Sequence, residues 1–94
     1  MSFDQLIAVH EFVELYHTEI TFVESLQDYG LIEIQVVNEE RFINSEQLPQ
    51  LEQFLRLHHD LDINPAGIDA INHLLQKMEQ MQQEIRMLRN RQSF

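Results

Sequence analysis

Residues 18–37 read TEITFVESLQDYGLIEIQVV, and the change of apolar period inside this stretch decides the fold. Ile20, Val23 and Leu26 recur at helical spacing with Phe22 beside them, so the first half is one short amphipathic helix. Thr18 is placed to cap its start. Gly30 is placed to close it, because a left-handed residue after a helix end costs glycine least. Beyond Gly30 the period falls to two. Leu31, Glu33 and Gln35 fall on one side and Ile32, Ile34 and Val36 on the other, which predicts a strand. With Asn38-Glu39 as the turn and Arg41-Phe42-Ile43 as the return, the segment is expected to form a small β-hairpin wing.

Upstream, Leu6 to Val9 reads as a short strand or a lead-in turn. From His10, the apolar positions Phe12, Val13 and Tyr16, with Leu15 adjacent, predict a first helix that breaks at His17-Thr18. Two helices joined by so short a break make a helix-turn-helix. Downstream, Asn44-Ser45-Glu46 is a helix-start signal, and Pro49 falls in the first turn, where its missing N–H costs least. Leu48, Leu51, Phe54, Leu55, His58 and Leu61 are expected to form a buried stripe. Asn64-Pro65 is the cleanest boundary, with asparagine as N-cap and proline at the first helical position.

The last predicted helix, Ala66 to about Arg91, is the longest element. Ile71, Met78 and Ile85 share one heptad position, and Leu74, Met81 and Leu88 share the companion position three residues later. Lys77, Glu84, Arg89 and Arg91 flank this seam, as in a coiled coil. At 1.5 Å per residue the helix runs for about 39 Å, too far for its outer half to bury the stripe on its own domain. Those six residues are therefore expected to dimerise the chain. The expected fold class is mainly α: a winged helix-turn-helix with a small β-hairpin wing, residues 1–64, followed by a long C-terminal dimerisation helix, residues 65–94.

Charge narrows the function classes. Sixteen acids against six bases give a formal net charge of −10 over 94 residues. Residues 1–40 hold nine of the acids and no lysine or arginine. Nucleic-acid binders need cationic contacts to phosphate, because released counterions supply most of their affinity. The first half of this chain offers none, and instead suits a basic protein surface. There is no cysteine, hence no disulfide and no thiolate chemistry. No apolar run approaches the roughly 20 residues that span a bilayer, and no signal pattern opens the sequence, so the expected address is the cytoplasm.

Several residues carry a family resemblance. They are Ile7-Ala8-Val9-His10-Glu11-Phe12, Tyr29-Gly30-Leu31-Ile32-Glu33, Arg56-Leu57-His58-His59-Asp60-Leu61 and Ile63-Asn64-Pro65-Ala66-Gly67-Ile68, followed by a coil rich in Leu, Met, Gln and Arg. In this order and spacing the chain resembles the MerR-like winged-helix proteins, and more narrowly the CbpM family of chaperone modulators. The opening of the last helix also resembles that of HspR-type repressors, which bind DNA. MerR-type regulators typically carry Arg-Thr-Leu-Arg-Tyr-Tyr in the second helix. The matching stretch here is Thr21-Phe22-Val23-Glu24-Ser25-Leu26, so one arginine position has lost its charge and the other has become acidic. Arg41, in the wing, is the basic residue retained, and a lone arginine reads more readily as a structural ion pair than as a DNA anchor. By resemblance, CbpM proteins bind the J-domain of a DnaJ-like co-chaperone, CbpA, and restrain its activity.

The resemblance and the charge together imply a chaperone modulator whose partner is a CbpA/DnaJ-like J-domain, acting as a homodimer without direct DNA binding and without membrane attachment. A MerR-like transcriptional regulator with weak or partner-delegated DNA contacts is the alternative. The candidate partner-facing carboxylates are Glu11 and Glu14 on the outer side of the first helix, and Glu24 and Asp28, spaced i,i+4, on the outer side of the second. Tyr16, Phe22 and Tyr29 are candidates for an apolar anchor. His10, Glu14 and His17 share a helical face, yet no fourth ligand accompanies them, so no metal is expected. Carboxylate pairs such as Glu39-Glu40 sit in turns with no evident pocket, and no phosphate loop or nucleophile motif occurs. Neither an enzyme nor a cofactor is expected.

Overall fold

Local sequence signals set the path of the chain in the computed structural model, which describes residues 5–92. Strand β1 (Leu6–Ala8) leads into helices α1 (Val9–Leu15) and α2 (Ile20–Asp28). Strands β2 (Gln35–Val37) and β3 (Glu40–Asn44) follow, then a 3₁₀ turn (Ser45–Gln47), α3 (Leu48–Leu61) and α4 (Pro65–Gln92). The fold is mainly α-helical with a three-stranded antiparallel sheet in the order β1-β3-β2. Ile7 pairs with Ile43 and Val36 with Arg41. The lead-in segment is thus a strand, and it extends the predicted hairpin by one member on the β3 side.

The two helix ends of the helix-turn-helix close in the same way. After α2, Gly30 adopts φ 72°, its N–H donates to the Gln27 carbonyl, and the Leu31 N–H donates to the Leu26 carbonyl. This paired closure satisfies carbonyls that a helix end otherwise leaves orphaned. After α1, His17 takes the equivalent left-handed place with φ 53°, and the Thr18 N–H donates to the Val13 carbonyl at 3.0 Å. Thr18 does not cap α2, contrary to the sequence reading, because α2 starts only at Ile20 and leaves Thr18 one place before the N-cap. Glu19 stands at the N-cap with extended backbone and no side-chain cap.

The wing is shorter than its alternating pattern predicts. Leu31 and Ile32, expected on opposite faces of a strand, are both buried, because pairing starts only at Gln35. Asn38 and Glu39 both have positive φ, as a two-residue turn matched to strand twist requires. Asn44 then accepts the Glu46 N–H at 2.9 Å and opens the 3₁₀ turn that feeds α3, with Pro49 in its first helical turn.

On α3, Leu51, Phe54 and Leu55 are buried and Leu48 and His58 half-buried, whereas Leu61 is exposed. The chain turns at Asp62, φ 54°, and folds Ile63 back against the core in place of Leu61. The His58 ring stacks on Phe22 at 4.4 Å, and its Nδ1 lies 2.9 Å from the Ile63 carbonyl oxygen, tying this turn to α2. Asn64 caps α4 as expected: its Oδ1 accepts the Gly67 N–H at 2.8 Å. A side chain at Gly67 would place its Cβ 2.8 Å from the Ile63 methyl, so this close approach demands glycine. The next residue, Ile68, is fully buried in a core shared with Val9, Phe12, Val23, Leu26, Ile43 and Leu51. Helix α4 is 28 residues and about 42 Å long; its greater part runs out from this head, and the molecule measures 57 × 38 × 20 Å.

Candidate functional site

Helix α2 is the element that a helix-turn-helix offers to a partner, and its inner face is fixed by Phe22, Val23 and Leu26. The outward residues include Thr21, Glu24, Gln27 and Asp28, with no base among them. The Arg41 guanidinium donates to Glu24 Oε2 at 2.9 Å, so the wing is clipped to α2 by an ion pair. Both side chains are nearly half exposed, which limits that pair to about 0.2–1 kcal/mol of stability. Its larger consequence is chemical: the wing's arginine is directed to a carboxylate of its own chain. Asp28 is exposed and forms no ion pair among the described residues.

Helix α1 presents Glu11 and Glu14 to solvent, both without an ion-pair partner among the described residues. Leu15, 74% exposed, follows on the same helix, and these three residues line one shallow surface depression. Leu15 is the most exposed of the large apolar side chains in the described residues. Sequence reasoning missed it as an anchor. With only two turns in α1, an adjacent apolar residue cannot be assigned to the core or to solvent by periodicity alone.

A groove runs between α1 and α3. One hollow of about 130 Å³ is lined by Ile7, Glu11, Phe12, Leu15, Tyr16 and Leu48. A second, of about 260 Å³, is lined by Tyr16, Glu52, Leu55, Arg56, His59 and Asp60. Tyr16 separates the two. Its ring stacks on Phe12 at 4.5 Å and its hydroxyl donates to Glu52 Oε1 at 3.0 Å. That hydrogen bond, with lesser help from burial and from the carboxylate's charge, raises the Tyr16 pKa above its ordinary value of 10.0. Of the other anchor candidates, Phe22 is buried in the core and Tyr29 is exposed at the α2 exit.

The seam on α4 changes character along its length. Ile71 is half-buried against the head, whereas Leu74, Met78, Met81, Ile85 and Leu88 stand 51–61% exposed. Nothing among the described residues covers them. The histidines take structural or surface places: His10 lies 3.5 Å from Glu40, His17 ends α1 and His73 pairs with Asp69 one turn earlier. No group of three His, Asp or Glu side chains able to hold a metal occurs among the described residues. None of their helices is long and apolar enough to cross a membrane.

The sequence profile of a family described as MerR HTH family regulatory protein matches residues 7–90. That span takes in every element from β1 to nearly the end of α4. No curated protein and no solved structure matches the chain.

Proposed function

The chain belongs to the MerR HTH family of regulatory proteins, and from that premise we propose that it regulates by binding protein, as a CbpM-like modulator of a J-domain co-chaperone. The carrying observation is the ion pair between Arg41 and Glu24 on a helix that has no base of its own. In a DNA-binding relative the second helix and wing supply cations to the phosphate backbone. Here Glu24 stands where an arginine is typical, and it also occupies the one arginine of the wing. The resulting surface repels phosphate and attracts a basic protein.

A J-domain presents a basic helix that docks on its Hsp70 partner. The modulator covers that helix through carboxylates drawn from Glu11, Glu14, Glu24 and Asp28, and so keeps Hsp70 away by bulk and by charge. The seam of Ile71, Leu74, Met78, Met81, Ile85 and Leu88 pairs with the same seam of a second copy, giving a homodimer with two acidic heads. Its exposed apolar row supports this pairing, because such a row is costly to leave in water.

The test is the Hsp70 ATPase rate stimulated by the J-domain of a CbpA-like protein. Saturating amounts of the chain are expected to return that rate to its unstimulated level. Full stimulation in its presence would contradict the modulator reading. The family match favours a second reading, a transcriptional regulator whose DNA contacts are weak or supplied by a partner. Retention of duplex DNA at physiological salt, with no effect on the ATPase, would select it.

A further inference from the structure

We infer that the partner is held in the groove between α1 and α3, with Leu15 as its apolar anchor, and that the segment received there is an amphipathic helix bearing basic residues. This rests on the modulator reading and assigns it a docking surface. Three observations carry it. First, the groove is apolar at its floor and acidic at its rim. Glu11 lines the smaller hollow, Glu14 the shallow depression beside it, and Glu52 and Asp60 the larger hollow, with Arg56 the only arginine or lysine in these linings. Of those carboxylates, Glu11, Glu14 and Asp60 form no ion pair among the described residues. Their charge is free for a cationic occupant, unlike that of Glu24.

Second, Leu15 projects 74% exposed from the edge of the groove, beside a hollow of about 130 Å³. A cavity of roughly 150 Å³ admits a benzene-sized group, so this hollow suits one aliphatic side chain of the occupant. Interface energy concentrates in such central apolar contacts ringed by polar groups. Third, both hollows are open to solvent and meet at Tyr16, which lines each of them. A third helix seats there with apolar positions inward and lysine or arginine toward the carboxylates, the helix-in-groove mode of recognition. No residue of α2 lines the groove, so the docking surface differs from the helix and wing that this scaffold turns toward DNA.

The experiment compares variants of the full chain by calorimetric titration with the isolated J-domain at low salt. Leu15→Ala changes an exposed residue, so its thermal melting is expected to match the wild type while its affinity falls about tenfold, the size of a 1.4 kcal/mol hot-spot contact. Glu11→Lys with Glu14→Lys is expected to weaken binding further and to flatten its salt dependence. Glu24→Arg with Asp28→Arg is expected to cost less than Leu15→Ala alone. Wild-type affinity in both the Leu15 and the α1 variants, or a greater loss from the α2 pair, would overturn the groove and leave the modulator reading standing. No binding by the wild-type chain would overturn the modulator reading, and the assigned occupant with it.

Discussion

The head of the molecule and the outer part of α4 are built from the same kind of apolar stripe, with opposite outcomes. In residues 5–72 the stripes of α1, α2 and α3 meet β3 and Ile68, and most of their large side chains are buried or half-buried. From residue 73 onward every described side chain of α4 is exposed, the heptad row included. The difference is one of geometry. Short helices of 7, 9 and 14 residues can surround one core, whereas a helix of 28 residues outruns it. A chain this size buries only about two-thirds of its unfolded surface on folding, so the second copy proposed along α4 would add burial that the head alone does not supply. One region is covered by its own chain, and the other is left exposed.

Substitutions should separate the two regions cleanly. The largest effect belongs to the head: Leu51→Ala, at a fully buried site, is expected to cost about 3 kcal/mol and lower the melting temperature by about 15 °C. Thermal melting by circular dichroism measures it, and a loss below 1 kcal/mol would mean that the core tolerates a hole. Met81→Glu with Ile85→Glu is expected to leave the head folded yet give monomers in sedimentation equilibrium. A persisting dimer would move the seam elsewhere.

At the junction between the regions, Gly67→Ala forces its new methyl against Ile63. A destabilisation of about 1–2 kcal/mol is expected from that overpacking, visible in urea titration, despite alanine's better helix propensity. Arg41→Ala should cost less than about 1 kcal/mol, since the pair with Glu24 is half in water.

The smallest effect is a titration. In a Tyr29→Phe background, absorbance reads Tyr16 alone, and its midpoint is expected above the ordinary 10.0, mainly through the bond to Glu52. A folded pKa raised above the unfolded one means that this contact stabilises fully below about pH 10 and is lost as pH rises through the folded value. Glu52→Gln should bring the midpoint back down.

What was legible in the sequence was local. Gly30 as a left-handed helix end, Asn44 and Asn64 as caps, and the apolar faces of α2 and most of α3 all follow from residues a few positions apart. What was not legible depends on distant partners or on competition for one group. The pairing of Ile7 with Ile43 spans most of the head. Thr18 has cap chemistry, yet the closure of α1 on Val13 and the start of α2 at Ile20 leave it one place before the N-cap. Leu61 continues a helical stripe that the turn at Asp62 cuts off from the core. The acids of the first half were visible as a block, but not that Arg41 would select Glu24, nor that Leu15 would stand outside among carboxylates.

The central claim is that a helix-turn-helix with an acidic face serves a basic protein and not DNA. It is tested most directly by titrating the chain with the J-domain of a CbpA-like protein, and with a DNA duplex, at low and moderate salt. Saturable binding to the J-domain that weakens as salt rises, with no heat from the duplex at either salt, is the expected result. Binding to the duplex with a steep salt dependence, and none to the J-domain, would contradict it.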